Sequence, residues 1–109
     1  MPLQINRHES VISAAVLTTA TTTADLDVQG WSNIYVTGKT SSAAADMDLK
    51  VFPYQLVTGT LLNETAVAST TSKQYPWLAV DVAGLDKIQI TAKNNNGSTA
   101  TLTVTVGGQ

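Results

Sequence analysis

The chain has 109 residues, with six Lys and Arg against eight Asp and Glu, a net charge of −2 and only 13% charged residues, about half the usual share. The basic residues are scattered at Arg7, Lys39, Lys50, Lys73, Lys87 and Lys93, which leaves no basic stripe to displace counterions from a nucleic acid. Cysteine is absent, which excludes disulfides, thiol catalysis and cysteine metal sites, and the length suits one domain that buries about two thirds of its unfolded surface.

In chain order, residues 1–10, "MPLQINRHES", read as a polar arm ahead of a single domain over 11–109. The arm lacks the charged-then-apolar order of a secretory signal, and the ten residues after it fall well short of the roughly 20 needed to cross a bilayer. Both features point to a product made and used without membrane export. His8 is the only histidine, beside Glu9 and Ser10. A polar arm cannot bury it or tune its pKa for general-base work, so no catalytic residue is expected and the chain does not read as an enzyme.

The body is rich in Thr, Val and Ala and lacks helical periodicity. Strands are expected at 11–18, 24–28, 33–39, 47–54, 61–68, 77–82, 87–93 and 99–106. Alternation is clearest where Ile34 and Val36 oppose Tyr35 and Thr37, where Ile88 and Ile90 oppose Gln89 and Thr91, and where Leu102, Val104 and Val106 oppose Thr101, Thr103 and Thr105. That period-2 pattern gives one buried face and one Thr-coated face, as antiparallel sheets show. The inward set is Val28, Ile34, Val36, Leu49, Val51, Val82, Ile88, Ile90, Leu102 and Val104. "QGWS", "VTGT", "AGLD" and "NNNG" supply turns, Pro53 marks a strand end or bend, and Pro76 holds Tyr75 extended.

Residues 26–39, "LDVQGWSNIYVTGK", recur at 80–93 as "VDVAGLDKIQITAK", with six of fourteen positions identical at an offset of 54. The match resumes with Met47, Leu49 and Val51 against Leu102, Val104 and Val106, so the pseudo-repeat spans 26–51 and 80–106. We expect two three-stranded units stacked face to face, making an all-β antiparallel sandwich of about eight strands. Asp27 and Asp81 precede the turns as acceptors for backbone N–H groups. Gly30 and Gly84 are expected to need positive φ.

Asp25/Asp27 and Asp46/Asp48 could each aim two carboxylates to one side of a strand, but calcium wants about six ligands or more, so no metal or cofactor is expected. Lys39 and Lys93 solvate strand ends. Trp77, alternating with Ala79, is expected in the core, and Trp31, in a turn, at the surface. Phe52-Pro53-Tyr54 and Tyr75-Pro76-Trp77 repeat an aromatic-Pro-aromatic pattern that suits packing at sheet corners. Asn63-Glu64-Thr65 and Asn96-Gly97-Ser98 match glycosylation acceptors, and without export they are coincidences.

The polar arm, the Thr/Ala-rich body, the Asp-Val-x-Gly turns within 26–39 and 80–106 and the ending "GSTATLTVTVGGQ" resemble small all-β structural proteins of tailed bacteriophages. The resemblance implies a jelly-roll-like fold. It also implies a virion protein that decorates or cements the capsid surface after assembly in the host cytoplasm. Its partners would be the major capsid protein and further copies of itself, in a trimer, with no nucleic acid and no membrane. The expected adhesive residues are Pro2, Leu3, Gln4, Ile5, Asn6 and Arg7 of the arm, together with Val57, Leu61 and Leu62 of an apolar, Gly-broken stretch. The alternative is a tail or fibre module that contacts host glycan through Trp31 and Tyr54.

Overall fold

The computed structural model describes residues 7–41 and 46–108. They form eight strands: β1 (Arg7–Val16), β2 (Thr21–Asp27), β3 (Asn33–Thr40), β4 (Met47–Pro53), β5 (Ala68–Lys73), β6 (Trp77–Asp81), β7 (Lys87–Asn94) and β8 (Ala100–Gly108). Two four-stranded sheets, ordered β1-β8-β3-β6 and β2-β7-β4-β5, are antiparallel at every pairing. This strand order is that of a jelly roll, the double-sheet arrangement of two Greek keys.

All ten residues expected to point inward are buried, joined by Ile12, Val16, Met47, Val80, Ala92, Ala100 and Val106. The burial of β3 and β7 alternates strictly or nearly so, because only one face of each sheet meets the other sheet.

The repeat organises the fold differently from two stacked units. Its first copy supplies β2, β3 and β4, and its second β6, β7 and β8. Each copy crosses between sheets, and the copies interleave so that β8 and β6 flank β3 while β2 and β4 flank β7. The conserved core of each copy is therefore a crossing turn. In the first, the Asp27 carboxylate accepts from Gln29 N–H at 3.0 Å, Trp31 N–H donates to the Val28 carbonyl at 3.0 Å, and Gly30 has φ 85°. In the second, Asp81 accepts from Ala83 N–H at 3.0 Å, Leu85 N–H donates to Val82 at 3.0 Å, and Gly84 has φ 84°. A glycine with this φ at the third position is what a type II turn requires. The two turns then hold each other, with Val28 N–H donating to Asp86 C=O and Val82 N–H to Ser32 C=O, both at 2.9 Å.

One expected strand is displaced. Residues 61–68 give only a bridge from Leu61 to Tyr54, and the fifth strand is Ala68–Lys73. Its "ASTTSK" sequence has no apolar alternation because it is an edge strand that contributes little to the core. A register shift lies opposite Met47 and Leu49, where Ser72 adopts φ 54° and its N–H is held by Asp48 Oδ1 at 2.9 Å. The expected arm boundary also moves, since Arg7 to Ser10 already pair with Gly108 to Thr105 of β8.

Asn94 is fully buried yet satisfied. Its amide donates to Val16 C=O at 2.8 Å and Ser98 C=O at 3.0 Å, and its oxygen accepts from Asn96 N–H at 2.8 Å. It ties the β1–β2 connection to the β7–β8 connection.

Two stability predictions follow from this packing. Ile88→Ala should lower unfolding free energy by about 2–5 kcal/mol, and urea denaturation showing a loss under about 0.5 kcal/mol would mean that this face is not the core. Gly84→Ala should cost about 1 kcal/mol through the positive φ alone, since a Cβ there meets nothing within 4 Å; an unchanged midpoint would remove the turn argument.

Candidate binding surface

The β4–β5 connection, residues 54–67, carries four exposed large apolar side chains, among them Val57, the most exposed of the described surface. Val57 is 91% exposed, and Leu56, Leu62 and Val67 are exposed as well, whereas Leu61 is half-buried where it bridges Tyr54. Short internal bonds brace the loop. Gln55 N–H donates to Thr60 C=O at 2.7 Å, Gly59 N–H to Gln55 C=O at 2.8 Å, Leu62 N–H to Pro53 C=O at 2.9 Å and Val67 N–H to Val51 C=O at 2.8 Å. Gly59 takes φ 70° to close the inner turn, and the Thr58 hydroxyl bonds the Gln55 side chain. Val57 and Leu62, expected from sequence as adhesive, are thus presented to water on a loop whose backbone is already held.

Tyr54 anchors the base of that loop to the outer face of the β2-β7-β4-β5 sheet. Its hydroxyl donates to Asp25 Oδ1 at 2.6 Å, Gln89 Nε2 approaches the same oxygen at 3.4 Å, and Lys87 Nζ lies 3.7 Å from Asp25 Oδ2. The same Nζ sits 4.5 Å from the Tyr54 ring centroid, within cation–π range. The Tyr54 hydrogen bond, with smaller help from Gln89 and Lys87, lowers the Asp25 pKa, and Asp25 raises that of Tyr54. A shallow cleft of about 210 Å³ beside this cluster is lined by Tyr54, Gln55, Leu56, Gly59, Asp86 and Lys87.

The second exposed patch is aromatic. Tyr75 and Trp77 are each 63% exposed, and Tyr35 is exposed on the neighbouring strand. Pro76 between them is buried, its carbonyl accepting from Gly38 N–H at 2.8 Å. A Cβ on Gly38 would come within 2.9 Å of both Pro76 Cγ and Met47 Cε, so Gly38 makes room for the proline wedge. The expectation of a core Trp77 is overturned. The inward parity of β6 belongs to Leu78 and Val80, and Trp77 shares the outward parity of Ala79 and Asp81. Asp81, two steps along, was the sequence signal for that parity.

Trp31 is corrected in the opposite sense. It is half-buried and packs against the core, its ring lying within 2.8 Å of the position a Cβ on Gly108 would take. Neither Trp31 nor Tyr54 is therefore a free stacking platform.

Of the expected arm contacts, Arg7 lies in β1 opposite Gly108, whereas Pro2, Leu3, Gln4, Ile5 and Asn6 fall outside the described residues. His8 is also a β1 residue, opposite Gly107. Three of the four paired carboxylates have protein partners: Asp27 caps its turn, Asp25 receives Tyr54, and Asp48 receives Ser72 N–H and the Asn95 side chain at 2.7 Å, whereas Asp46 Oδ1 is buried without a hydrogen-bond partner among the described residues. No group of three or more His, Cys, Asp or Glu suited to a metal is found among the described residues.

No protein-family model matches the sequence, and no curated protein proves similar to it. Solved structures share the fold. The SPBc2 prophage-derived protein YomS superposes with a TM-score of 0.60 at 14% identity, covering 100% of this chain and 99% of its own. The Yersinia pseudotuberculosis-derived mitogen gives 0.69 at 12%, covering 94% and 86%. PliG of Aeromonas hydrophila, a periplasmic inhibitor of g-type lysozyme, gives 0.56 at 13%, covering 99% and 94%.

The Tyr54 contact yields a pH prediction. A carboxylate with a lowered folded pKa adds stability that is complete above its unfolded value, about 4, and is lost as pH falls through the folded one. Tyr54→Phe should raise the Asp25 pKa toward its ordinary value, as read by carboxyl-carbon NMR titration. An Asp25 titration identical in both proteins would mean that the hydroxyl does not make this bond.

Proposed function

We propose that the protein is a virion structural component of a tailed phage that decorates the outer surface of the head as a homo-oligomer, in contact with the major capsid protein. The observation that carries this reading is the braced apolar loop at 54–67, with Val57 91% exposed. Apolar side chains held out on a pre-ordered backbone lose little entropy on docking, and a shell repeats the complementary site many times, so modest contacts add by multivalency. Likeness over the whole chain to a prophage-derived protein supports it.

A second reading, a tail or fibre module contacting host glycan, is favoured by the exposed aromatics. It would use Tyr35, Tyr75 and Trp77, on whose ring faces sugar rings can stack, rather than Trp31 and Tyr54.

The test adds purified protein to undecorated heads and measures co-sedimentation and shell melting. Wild type should sediment with shells and raise their melting temperature, and Val57→Asp should weaken binding about tenfold or more while the free protein melts unchanged. A truncation should stop at residue 6, because Arg7 to Ser10 belong to the β1 ladder. Failure of wild type to sediment, together with oligosaccharide quenching of tryptophan fluorescence that Trp77→Ala abolishes, would replace the capsid reading with the glycan one.

A further inference from the structure

The four edges of the two sheets are not equally guarded. β1 carries a register shift between Ser10 and Ile12, β5 a shift with Ser72 at φ 54°, and β2 the exposed carboxylates of Asp25 and Asp27. Bulges and charges of this kind discourage a second strand from pairing. β6, Trp77–Asp81, has no register shift in its pairing with β3 and no charge before its last residue.

The free backbone groups of that edge can be assigned. Gly38 N–H donates to Pro76 C=O, and Val82 N–H to Ser32 C=O. In an antiparallel ladder bonded pairs recur at every second residue, so Leu78 and Val80 face β3. The N–H and C=O groups of Trp77, Ala79 and Asp81 point outward, and no backbone partner for them is found among the described residues.

We propose that the β6 edge is a self-association site at which a second copy of the chain adds its own β6 antiparallel, about a two-fold axis at Ala79. The occupant is argued from the strand itself. Ala79 is the middle of its five residues, so this register alone brings all three outward-facing residues opposite outward-facing partners and forms about six backbone hydrogen bonds. The small Ala79 side chain lies at the axis, where a large one would meet its own copy. Trp77 falls opposite Asp81 of the second copy and beside that copy's Ala79, which leaves room for the indole. Trp77, exposed in the single chain, gains cross-strand neighbours in the second copy, a role that Trp commonly takes in interfaces. The net charge of −2 offers little repulsion between copies. The joined sheet has eight strands, and the assembly unit is a dimer rather than the expected trimer. The inference stands on the edge and not on the capsid reading, since the dimer forms with or without a shell.

Sedimentation velocity from about 1 to 200 µM, with circular dichroism to check folding, tests it. Wild type should sediment as a dimer toward the upper end. Ala79→Pro removes an outward N–H that β3 does not use, a position where an edge strand tolerates proline, and should weaken dimerisation at least tenfold. The chain has no cysteine, so Ala79→Cys is a clean reporter. Cα atoms about 5.5 Å apart in a bonded pair bring the two thiols within reach of a short bis-maleimide linker, which should give a covalent dimer. A wild type that stays monomeric, or a folded Ala79→Pro that associates as wild type does while Ala79→Cys fails to cross-link, overturns the proposal. Oligosaccharide binding by a monomer through Trp77 would assign the face to glycan and overturn it equally.

Discussion

Two backbone hydrogen bonds, from Val28 N–H to Asp86 C=O and from Val82 N–H to Ser32 C=O, hold the two crossing turns in each other's grip. Val28 and Val82 are buried, so their N–H groups have no water to fall back on. Leaving one unpaired costs about 1–3 kcal/mol. Neither turn is satisfied alone, and the bond that completes one also fixes the position of the other. Pairings on both sides inherit that alignment: Asp27 opposite Lys87 between β2 and β7, and Asn33 opposite Asp81 between β3 and β6. The whole inward set takes its parity from there, since a one-residue slip would send every buried side chain to the solvent face.

The surface is built on this rigid frame by the same economy of short polar contacts. At one end the buried amide of Asn94 joins two connections. At the base of the long loop, Tyr54, Asp25, Lys87 and Gln89 tie the chain to the outer sheet face. Between them the Thr-coated faces offer few charges, and the apolar loop and the aromatic trio are left exposed in separate places. This frame leaves Val57, Tyr75 and Trp77 in water.

Much of this was legible in the sequence. The inward residues could be read because β-strand alternation depends only on which face meets the other sheet, and the Asp-Val-x-Gly turns because only glycine accepts their backbone angle without strain. What the sequence does not encode locally is partnership. Each repeat copy reads as a unit, yet its strands are dealt to opposite sheets, because bonds between Val28 and Asp86 or Val82 and Ser32 join residues far apart in the chain. β5 was missed because an edge strand with "ASTTSK" needs no apolar face. Trp31 and Trp77 were exchanged because aromatic residues serve core and interface alike. Only the small neighbour Gly108, against which Trp31 lies, and the parity of Asp81 tell them apart.

The interleaving also governs when the molecule can exist during synthesis. β8 lies between β1 and β3, and β7 between β2 and β4, so the centre of each sheet is filled by a strand from the second half of the sequence. While the ribosome has made only β1 to β6, β1 has no neighbour in its sheet and the β2 edge is equally bare. The nascent chain must keep those Thr- and Val-rich segments apart until residues 87–108 emerge to be inserted between them. Low-charge strands waiting in this way are open to pairing with other nascent chains.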